Sequence, residues 1–164
     1  MLQSFVPEPS NGRALRDAFG LFATGVTIVT TCGPEGCVAI TANSFSSVSM
    51  DPPLVLWSPA RASRRYPLFA EAEHYAIHVL AADQQDLAWS VAKDGGSLLS
   101  TDLDTNAHGV PVLPHCLARF DCRRNAVHEA GDHAIIVGEV LQATMKQGDP
   151  LAFFSGRVAR LELN

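Results

Sequence analysis

Six consecutive β-branched residues, Val26-Thr27-Ile28-Val29-Thr30-Thr31, constrain the fold of this 164-residue chain more than any other feature. Such side chains are stiff at χ1 and pack well on a pleated surface, so the run predicts a strand. Turn-forming residues follow at Cys32-Gly33-Pro34-Glu35-Gly36 and predict a hairpin. The chain therefore returns along its own first strand into the next stretch, residues 36–57.

The stretch from Gly36 to Trp57 has an unusual composition for a packed strand. It opens β-branched, breaks firmly at Asp51-Pro52-Pro53, and ends in a second apolar strand, Leu54 to Trp57. Between them lie small polar side chains: Thr41, Asn43, Ser44, Ser46, Ser47 and Ser49. These leave backbone N–H groups approachable by an anion or a flat, heteroatom-rich ring. The alternative is a solvated edge strand with a Ser-rich bend.

The remaining chain predicts short helices and further strands. Leu15, Ala18, Phe19 and Phe22 share one helical face, with a cap at Ser10 or Asn11 and an end at Thr24-Gly25. Residues 1–10 form an irregular lead-in. Further predictions are a helix ending near Phe69, a strand from His74 to Leu80, a helix from Leu87 to Ala92, a binding loop or lid from Lys93 to Pro114, and strands at 118–123, 133–140 and 159–163.

The spacing of these elements predicts a single, mainly β domain over residues 1–164. Short strands separated by turn residues, with only brief helices, favour an antiparallel sheet closed into a small barrel. The strands do not alternate regularly with helices, which argues against a doubly wound sheet.

Charge and composition exclude several classes of partner. A formal charge of −5 gives no basic surface for nucleic acid. No run is long enough to span a membrane, and no secretory signal is found, so we expect a cytoplasmic protein. Its four cysteines, Cys32, Cys37, Cys116 and Cys122, are therefore expected to remain thiols.

Familiar catalytic motifs are missing from the sequence. There is no glycine-rich dinucleotide fingerprint, phosphate loop or nucleophile elbow. A cluster of His and Cys residues between His115 and His133 raises the alternative of a metal-dependent hydrolase. The two cysteines in it, Cys116 and Cys122, are too far apart for the usual structural zinc spacing, so no metal ligands are assigned.

Two polar groups have both a functional and a structural interpretation. Gly131-Asp132-His133 precedes an apolar strand, so the His133 imidazole can enter a site at the mouth of a barrel or cap the turn. Arg61, Arg64 and Arg65 can bind phosphate or form a solvated face.

Several of these segments together resemble the flavin reductase domain family, which includes the small reductase components of two-component flavin monooxygenases. The likeness is carried by Thr24 to Thr30, Thr41 to Val55, Gly131-Asp132-His133 through Val140, Ser63-Arg64 with Tyr66-Pro67, and Pro150-Leu151 to Gly156-Arg157. It extends from about Leu15 to the end of the chain.

The resemblance implies a split β-barrel of Greek-key type that binds FMN or FAD and oxidises NADH or NADPH. It places the isoalloxazine edge and ribityl chain along Thr41, Ala42, Asn43, Ser44, Ser46, Ser47 and Val48, the phosphate near Trp57, Ser58, Ser63 and Arg64, and the nicotinamide near His133. Family members often carry an aromatic residue where this chain has Val158, so Phe153 or Phe154 is expected to stack instead.

Hydride transfer to flavin N5 needs no acid, base or nucleophile from the protein, which agrees with the missing motifs. The implied activity is NAD(P)H-dependent flavin reduction that supplies a partner monooxygenase. The alternative is a non-catalytic flavin-binding module on the same barrel. A homodimer is also implied, with an interface from Phe5, Phe19, Phe22, Phe153 and Phe154. The residues do not distinguish FMN from FAD, NADH from NADPH, or a bound cofactor from a diffusing substrate.

Overall fold

Antiparallel strands make up most of the computed structural model, which describes residues 2–96, 98, 103–159 and 161. Within them the strands are β1 Thr24–Gly25, β2 Thr27–Gly33, β3 Gly36–Ala42, β4 Ser46–Met50, β5 Pro53–Trp57, β6 His74–Val79, β7 Ala118–Ala130, β8 His133–Met145, β9 Ala152–Phe154 and β10 Arg157–Ala159. The α-helices are α1 Gly12–Gly20, α2 Tyr66–Glu71 and α3 Gln85–Lys93. This mainly β, antiparallel architecture with short helices is the one predicted.

Seven strands form the larger sheet in the order β3-β2-β6-β7-β8-β5-β4, and β1-β9-β10 form a smaller one. The β-branched run lies in the second strand of the larger sheet, where β2 pairs with the edge strand β3 on one side and with β6 on the other. Thr27 to Thr31 are all buried, which explains why stiff, compact side chains occupy both faces of this strand. The predicted β2–β3 hairpin is confirmed.

The two edge strands of the larger sheet position the site. β3 and β4 are the two edge strands, and the short link of Asn43 to Phe45 joins them in the chain. β4 and β5 are separated by the predicted break at Asp51-Pro52-Pro53. The Ser-rich segment is thus an edge strand, with a register shift between Ser47 and Ser49.

A core of aromatic residues packs against one face of β5 and β8. Trp57 is fully buried, with its ring edge-on to Phe69 at 5.1 Å and tilted against Tyr75 at 6.2 Å. Gly138 on β8 allows this packing, because a Cβ there would lie 2.0 Å from the Tyr75 hydroxyl. The core therefore fixes the start of β8, where His133 lies.

The first helix is shorter than predicted, and its residues are not buried. It begins after Asn11, as expected, but ends at Gly20, and Thr24–Gly25 form strand β1 instead of the helix end. None of its residues is buried, and Phe19 is 70% exposed. Its apolar face is therefore only partly covered by the described residues, since Leu15 is half-buried.

Two of the four cysteines are not thiols, which corrects the prediction made for them. Cys32 and Cys37 are register partners beside the β2–β3 turn and form a disulfide. The hairpin itself brings them together, since their Cα atoms lie 3.8 Å apart. Cys116 and Cys122 are free, and burial raises the pKa of the Cys122 thiol to about 12.

Some predicted segments fall partly outside the described residues. Of the last predicted strand, Ala159 ends β10, Leu161 lies outside any strand, and residues 160, 162 and 163 are not described. Of the predicted loop of residues 93–114, Lys93 instead ends helix α3, and residues 94–96, 98 and 103–114 are described. No helix among the described residues has the length and apolar character needed to cross a membrane.

The alternative of a metal site concerns the His/Cys segment between His115 and His133. In residues 2–96, 98, 103–159 and 161, no three His, Cys, Asp or Glu side chains come close enough together to hold an ion.

A fully buried histidine, His78, ties β6 to its surroundings. Its Nδ1 lies 3.0 Å from the carbonyl of Ile28, and its Nε2 accepts from the N–H of Leu113 at 3.1 Å. The ring is therefore neutral, with its proton on Nδ1. Burial is the main cause that lowers the pKa of His78 to about 4 from the usual 6.5.

This pKa predicts that the protein loses stability in acid. Between about pH 6.5 and pH 4, His78 is protonated in the unfolded state but not in the folded state. The free energy of unfolding therefore falls as the pH drops from about 6.5 towards 4. The shift corresponds to a loss on the order of 3 kcal/mol. Urea unfolding across this range should show the slope. His78→Gln should flatten it, whereas His128→Gln, at an exposed position, should not. Equal slopes in all three proteins would contradict the prediction.

Candidate active site

A pocket of about 160 Å³ opens between β3, α3 and the C-terminal strands. Its polar end is formed by Thr41, Ala42 and Asn43. Small and apolar side chains form the rest of its lining: Val26, Ala88, Trp89, Ala92, Leu151, Phe153 and Val158. The predicted flavin segment therefore begins at a pocket that is polar on one side only.

A second pocket, about 350 Å³ in volume, adjoins the first, and the two share Asn43 and Phe153. The end of α1 and the β9–β10 turn line it, through Arg16, Asp17, Phe19, Gly20, Phe22, Thr24, Ser155 and Gly156. We call these two neighbouring pockets together the groove, and residues of α1 line its second part.

The outer edge of β3 supplies free backbone groups to this groove. Ala39 directs both its N–H and its C=O away from β2, since they bond Gly95 and Arg65. Backbone groups on an antiparallel strand alternate in direction, so the N–H and C=O of Thr41 also point away from β2. Among the described residues neither group has a hydrogen-bond partner. Thr41 therefore offers a paired donor and acceptor at the polar end of the first pocket.

Helix α3 is fixed against this edge by side chains on both sides of the pocket. The Thr41 hydroxyl donates to the Ala88 carbonyl at 2.7 Å. Arg65 donates to the carbonyls of Ala39 at 3.1 Å, Val91 at 2.9 Å and Ala92 at 3.3 Å. A cation at the end of a helix satisfies its last carbonyls and its dipole. Arg65 is therefore a structural link between strand and helix, with three of its five N–H donors already bonded.

Three separate predicted motifs meet around the loop after β5. The Ser58 N–H donates to the Ser44 hydroxyl at 2.8 Å, which joins this loop to the β3–β4 link. Ala60 pairs with His133 in an antiparallel bridge, and the Arg61 N–H donates to the Asp132 carbonyl at 2.9 Å. The structure thus brings Thr41–Ser44, the loop 57–64 and Gly131-Asp132-His133 into one connected surface.

His133 is held at the start of β8 by its sequence neighbour. Its Nδ1 lies 2.8 Å from the Asp132 carboxylate, and its side chain is 45% exposed. The hydrogen bond and charge of His133 lower the pKa of Asp132, which keeps that carboxylate ionised at neutral pH. Nδ1 therefore carries the proton, and Nε2 has no partner in the described part of the chain. That nitrogen is available to a ligand.

Of the side chains predicted to bind the phosphate, some already bond other protein groups and others do not. The Ser63 hydroxyl accepts from the Arg65 N–H at 3.2 Å, and Arg61 lies 3.4 Å from Glu129. Arg64 is exposed, and no side-chain bond to it is found within the described ranges. Of the three arginines, Arg64 is the one whose guanidinium is open for an anion.

Two of the side chains predicted to contact the cofactor, those of Trp57 and Phe154, line neither pocket. The Trp57 side chain is 0% exposed, so it is a core residue and only its backbone can face a ligand. Phe153 lines both pockets, whereas Phe154 lines neither and is 42% exposed. Neighbouring strand residues point to opposite faces, so Phe153 is the aromatic residue in the groove.

The residues of β4 lie on an open edge away from both pockets. Ser46, Ser47 and Val48 are exposed, and the register shift leaves Val48 without a partner on β5. None of these three residues lines either pocket.

Helix α3 was missed as part of the site. Its presence was predicted at Leu87 to Ala92, but the sequence carries no signal that places Ala88, Trp89 and Ala92 over the edge of β3. The only usable sign was a large aromatic residue, Trp89, on a short helix otherwise rich in small residues.

Comparison with known proteins decides what this groove belongs to. Residues 19–162 match the family model of the flavin reductase like domain. The chain belongs to the flavin reductase-like domain family. The fold, a split barrel, and the enzyme class, a flavin reductase, are thereby confirmed.

Three relatives match the chain over 80% or more of their own length, whereas the chain spans about half of the trigonelline monooxygenase reductase component of Acinetobacter baylyi. The chain is 56% identical over 156 residues to the FMN reductase (NADH) SmoA of Agrobacterium fabrum, which covers 95% of this chain and 90% of that protein. It is 32% identical over 157 residues to the flavin-dependent monooxygenase reductase subunit HsaB of Rhodococcus jostii, covering 94% and 80%. The solved structure of the NADH:FAD oxidoreductase SgcE6 of Streptomyces globisporus C-1027 matches with a TM-score of 0.89 and 32% identity, covering 100% and 95%.

Proposed function

We propose that this flavin reductase uses NADH to reduce FMN and releases the product to a separate monooxygenase. The observation that carries the proposal is the outer edge of β3, where the free N–H and C=O of Thr41 meet the polar end of the groove. The choice of FMN and NADH is supported by the relative at 56% identity, the FMN reductase (NADH) of Agrobacterium fabrum. The transient monooxygenase partner is supported by HsaB, the reductase subunit of a flavin-dependent monooxygenase.

The groove fits a flavin in its chemistry. A flavin ring presents hydrogen-bonding heteroatoms at its pyrimidine end, which Thr41 and the exposed amide of Asn43 can meet. Arg64 is the open cation for the phosphate. When bound, the flavin supplies the hydride acceptor. The part left to the protein is to hold the two rings in contact and exclude water, which needs no acid or base.

His133 is assigned to the nicotinamide. Its Nε2 is the one open ring nitrogen at the start of β8, and Asp132 fixes the ring orientation through Nδ1. A carboxamide both donates and accepts hydrogen bonds, so it is suited to such a nitrogen. The bridge between Ala60 and His133 places this imidazole beside the loop that carries Arg64.

Oxidation of the reduced nicotinamide tests the activity, and it is measured as the loss of absorbance at about 340 nm. We expect turnover with NADH and FMN that exceeds turnover with NADPH or with FAD. Oxidation with none of the four pairs rejects the proposal. Flavin binding without any oxidation instead supports a non-catalytic flavin-binding module.

Replacement of His133 tests its assignment. His133→Ala removes one hydrogen bond worth on the order of 1 kcal/mol, so the KM for NADH should rise about fivefold while the FMN dissociation constant stays nearly unchanged. His128→Ala, an exposed position on the paired strand, is the matched control. A loss of FMN binding with an unchanged KM for NADH would place His133 in the flavin site or the fold.

The uncovered face around α1 supports a homodimer. Phe19, Leu21 and Phe22 are 70%, 65% and 79% exposed, and Phe19 and Phe22 also line the second pocket. A monomer would leave this groove wall in water, whereas an isologous contact would cover it beside the flavin. Of the other aromatic residues expected at the interface, Phe154 is exposed, and Phe5 and Phe153 are half-buried.

Light scattering at micromolar concentration tests the assembly. We expect a mass of twice the 17.6 kDa of one chain. Phe22→Asp should shift the mass towards one chain and lower FMN affinity, since the groove then loses a wall. A single-chain mass for the unsubstituted protein with full activity would show that one subunit builds the site.

A further inference from the structure

The Cys32–Cys37 disulfide lies at the exposed end of the β2–β3 hairpin. Both cysteines are half-buried, and the turn between them is exposed at Pro34 to Gly36. Ala39 directs its backbone groups away from β2, so Cys37, two residues earlier, also forms a pair with β2 that lacks hydrogen bonds. Such pairs bring their side chains closest together. The hairpin therefore places the two sulfur atoms where they can react with each other.

A purely structural role accounts poorly for this disulfide. The two cysteines are five positions apart in the sequence, so their bond restricts the unfolded chain less than a bond that closes a long loop. The hairpin is already paired from Thr27 opposite Ala42 to Gly33 opposite Gly36. Exposed disulfides are typically the labile ones, which reductants open and oxidants close. The position of this pair therefore indicates that it changes between two states.

The activity of a flavin reductase supplies an oxidant for such a pair. Molecular oxygen takes two electrons and two protons from reduced flavin that has left the enzyme, and becomes hydrogen peroxide. The thiolate of Cys32 or Cys37 then attacks one peroxide oxygen, the O–O bond breaks, and a sulfenic acid and hydroxide form. The hydroxide becomes water with the proton that the thiol had released. The second thiol displaces the sulfenic oxygen as another water, and the disulfide forms.

The other two cysteines of the chain lack these properties. Cys116 and Cys122 are free. Cys122 is 1% exposed, and burial raises the pKa of its thiol to about 12. Burial is also the main cause that raises the pKa of the half-buried Cys116 thiol. Because the thiolate is the form that reacts, these two residues are poor targets for peroxide and serve as internal controls.

The state of the Cys32–Cys37 pair affects the groove through strand β3. Cys37, Ala39 and Thr41 share the outer edge of this strand, and Gly95 and Arg65 hold the edge at Ala39. A disulfide fixes the end of the hairpin, whereas two thiols allow its last pairs to open and close. Opening at Cys37 removes support from Ala39, two residues further along, and from the edge that the proposed function assigns to the flavin.

We propose that Cys32 and Cys37 form a redox switch, in which peroxide derived from reduced flavin closes the disulfide, firms the outer edge of β3 and tightens flavin binding. A dithiol reductant reopens the switch by exchange. The Cys32–Cys37 bond then breaks, and the reductant becomes the new disulfide. An enzyme that releases reduced flavin into oxygen thereby holds its flavin more tightly. The effect on binding rests on the proposed function, whereas the thiol chemistry does not.

Thiol labelling followed by mass spectrometry tests the chemistry. Protein reduced with dithiothreitol and then freed of it is exposed either to hydrogen peroxide or to NADH and FMN in air, and is then unfolded and alkylated. We expect all four cysteines to be alkylated before exposure. After either treatment only Cys116 and Cys122 should be alkylated, with Cys32 and Cys37 joined within one chain. Catalase should prevent the change in the arm with NADH and FMN.

The two arms of this experiment separate the possible failures. Alkylation of Cys32 and Cys37 after added peroxide overturns the proposal, and so does a disulfide between two chains. A pair that closes with added peroxide but stays open while NADH is oxidised overturns the flavin-derived origin of the oxidant. If NADH is not oxidised at all, the proposed function fails, and the arm with added peroxide alone decides the thiol chemistry.

Amide exchange and flavin binding test the effect on β3. Val38 faces β2 in a hydrogen-bonded pair with Thr31, so its N–H reports opening of the hairpin end. In reduced protein this N–H should exchange about tenfold faster than in oxidised protein, and the FMN dissociation constant should be about threefold higher.

Matched variants assign these effects to the pair. Cys32→Ser with Cys37→Ser should behave as reduced protein with or without oxidant, whereas Cys116→Ser should respond like the unsubstituted chain. The comparison of the two states of the unsubstituted protein needs no substitution that could disturb folding. Equal FMN affinities in those two states overturn the proposed switch.

Discussion

The candidate site depends on how the outer edge of β3 is covered. An edge strand presents alternate N–H and C=O groups that no other strand satisfies. At Ala39 these groups are occupied by the Gly95 carbonyl and the Arg65 guanidinium, whereas two residues later, at Thr41, they are open. The same edge is thus closed where α3 must be held and open where a ligand can bind.

The register of the β2–β3 hairpin sets which residues occupy that edge. β3 pairs with β2 from Gly33 opposite Gly36 to Thr27 opposite Ala42, and the Cys32–Cys37 disulfide lies within the ladder. A slip of one residue would turn every side chain of β3 to the opposite face. It would also direct the Thr41 backbone groups towards β2. Burial of the β-branched residues of β2 therefore fixes the chemistry of the groove, through the pairing that this burial enforces.

Local sequence patterns predicted much of the sheet, whereas the residues of the candidate site came from the likeness to a known family. The run Val26–Thr31, the glycine turn after it and the break at Asp51-Pro52-Pro53 each have strong local preferences that the structure follows. The prediction of a flavin came from the likeness of Thr41–Val55 to a known family, because no single residue in that segment indicates a flavin.

Long-range packing explains what the sequence patterns missed. Whether Phe153 or Phe154 faces the groove depends on how β9 pairs with β1, and this pairing spans most of the chain. The contacts of Arg65 with α3 also join segments that are distant in the sequence. The sequence alone therefore gave no reason to distinguish Arg65 from Arg61 and Arg64. The sequence predicted an apolar face on α1, and within the described chain none of its residues is buried. Its covering, in our account, comes from a second subunit.

Amide hydrogen exchange at Thr41 tests the central claim most directly. If the open edge of β3 binds the flavin ring, the Thr41 N–H should exchange quickly in the free protein and slow by at least about tenfold at saturating FMN, because it gains a hydrogen bond and loses contact with water. The Ala39 N–H, already bonded to Gly95, should be protected in both states. Fast exchange at Thr41 in the complex would show that the ring binds elsewhere and would contradict the account.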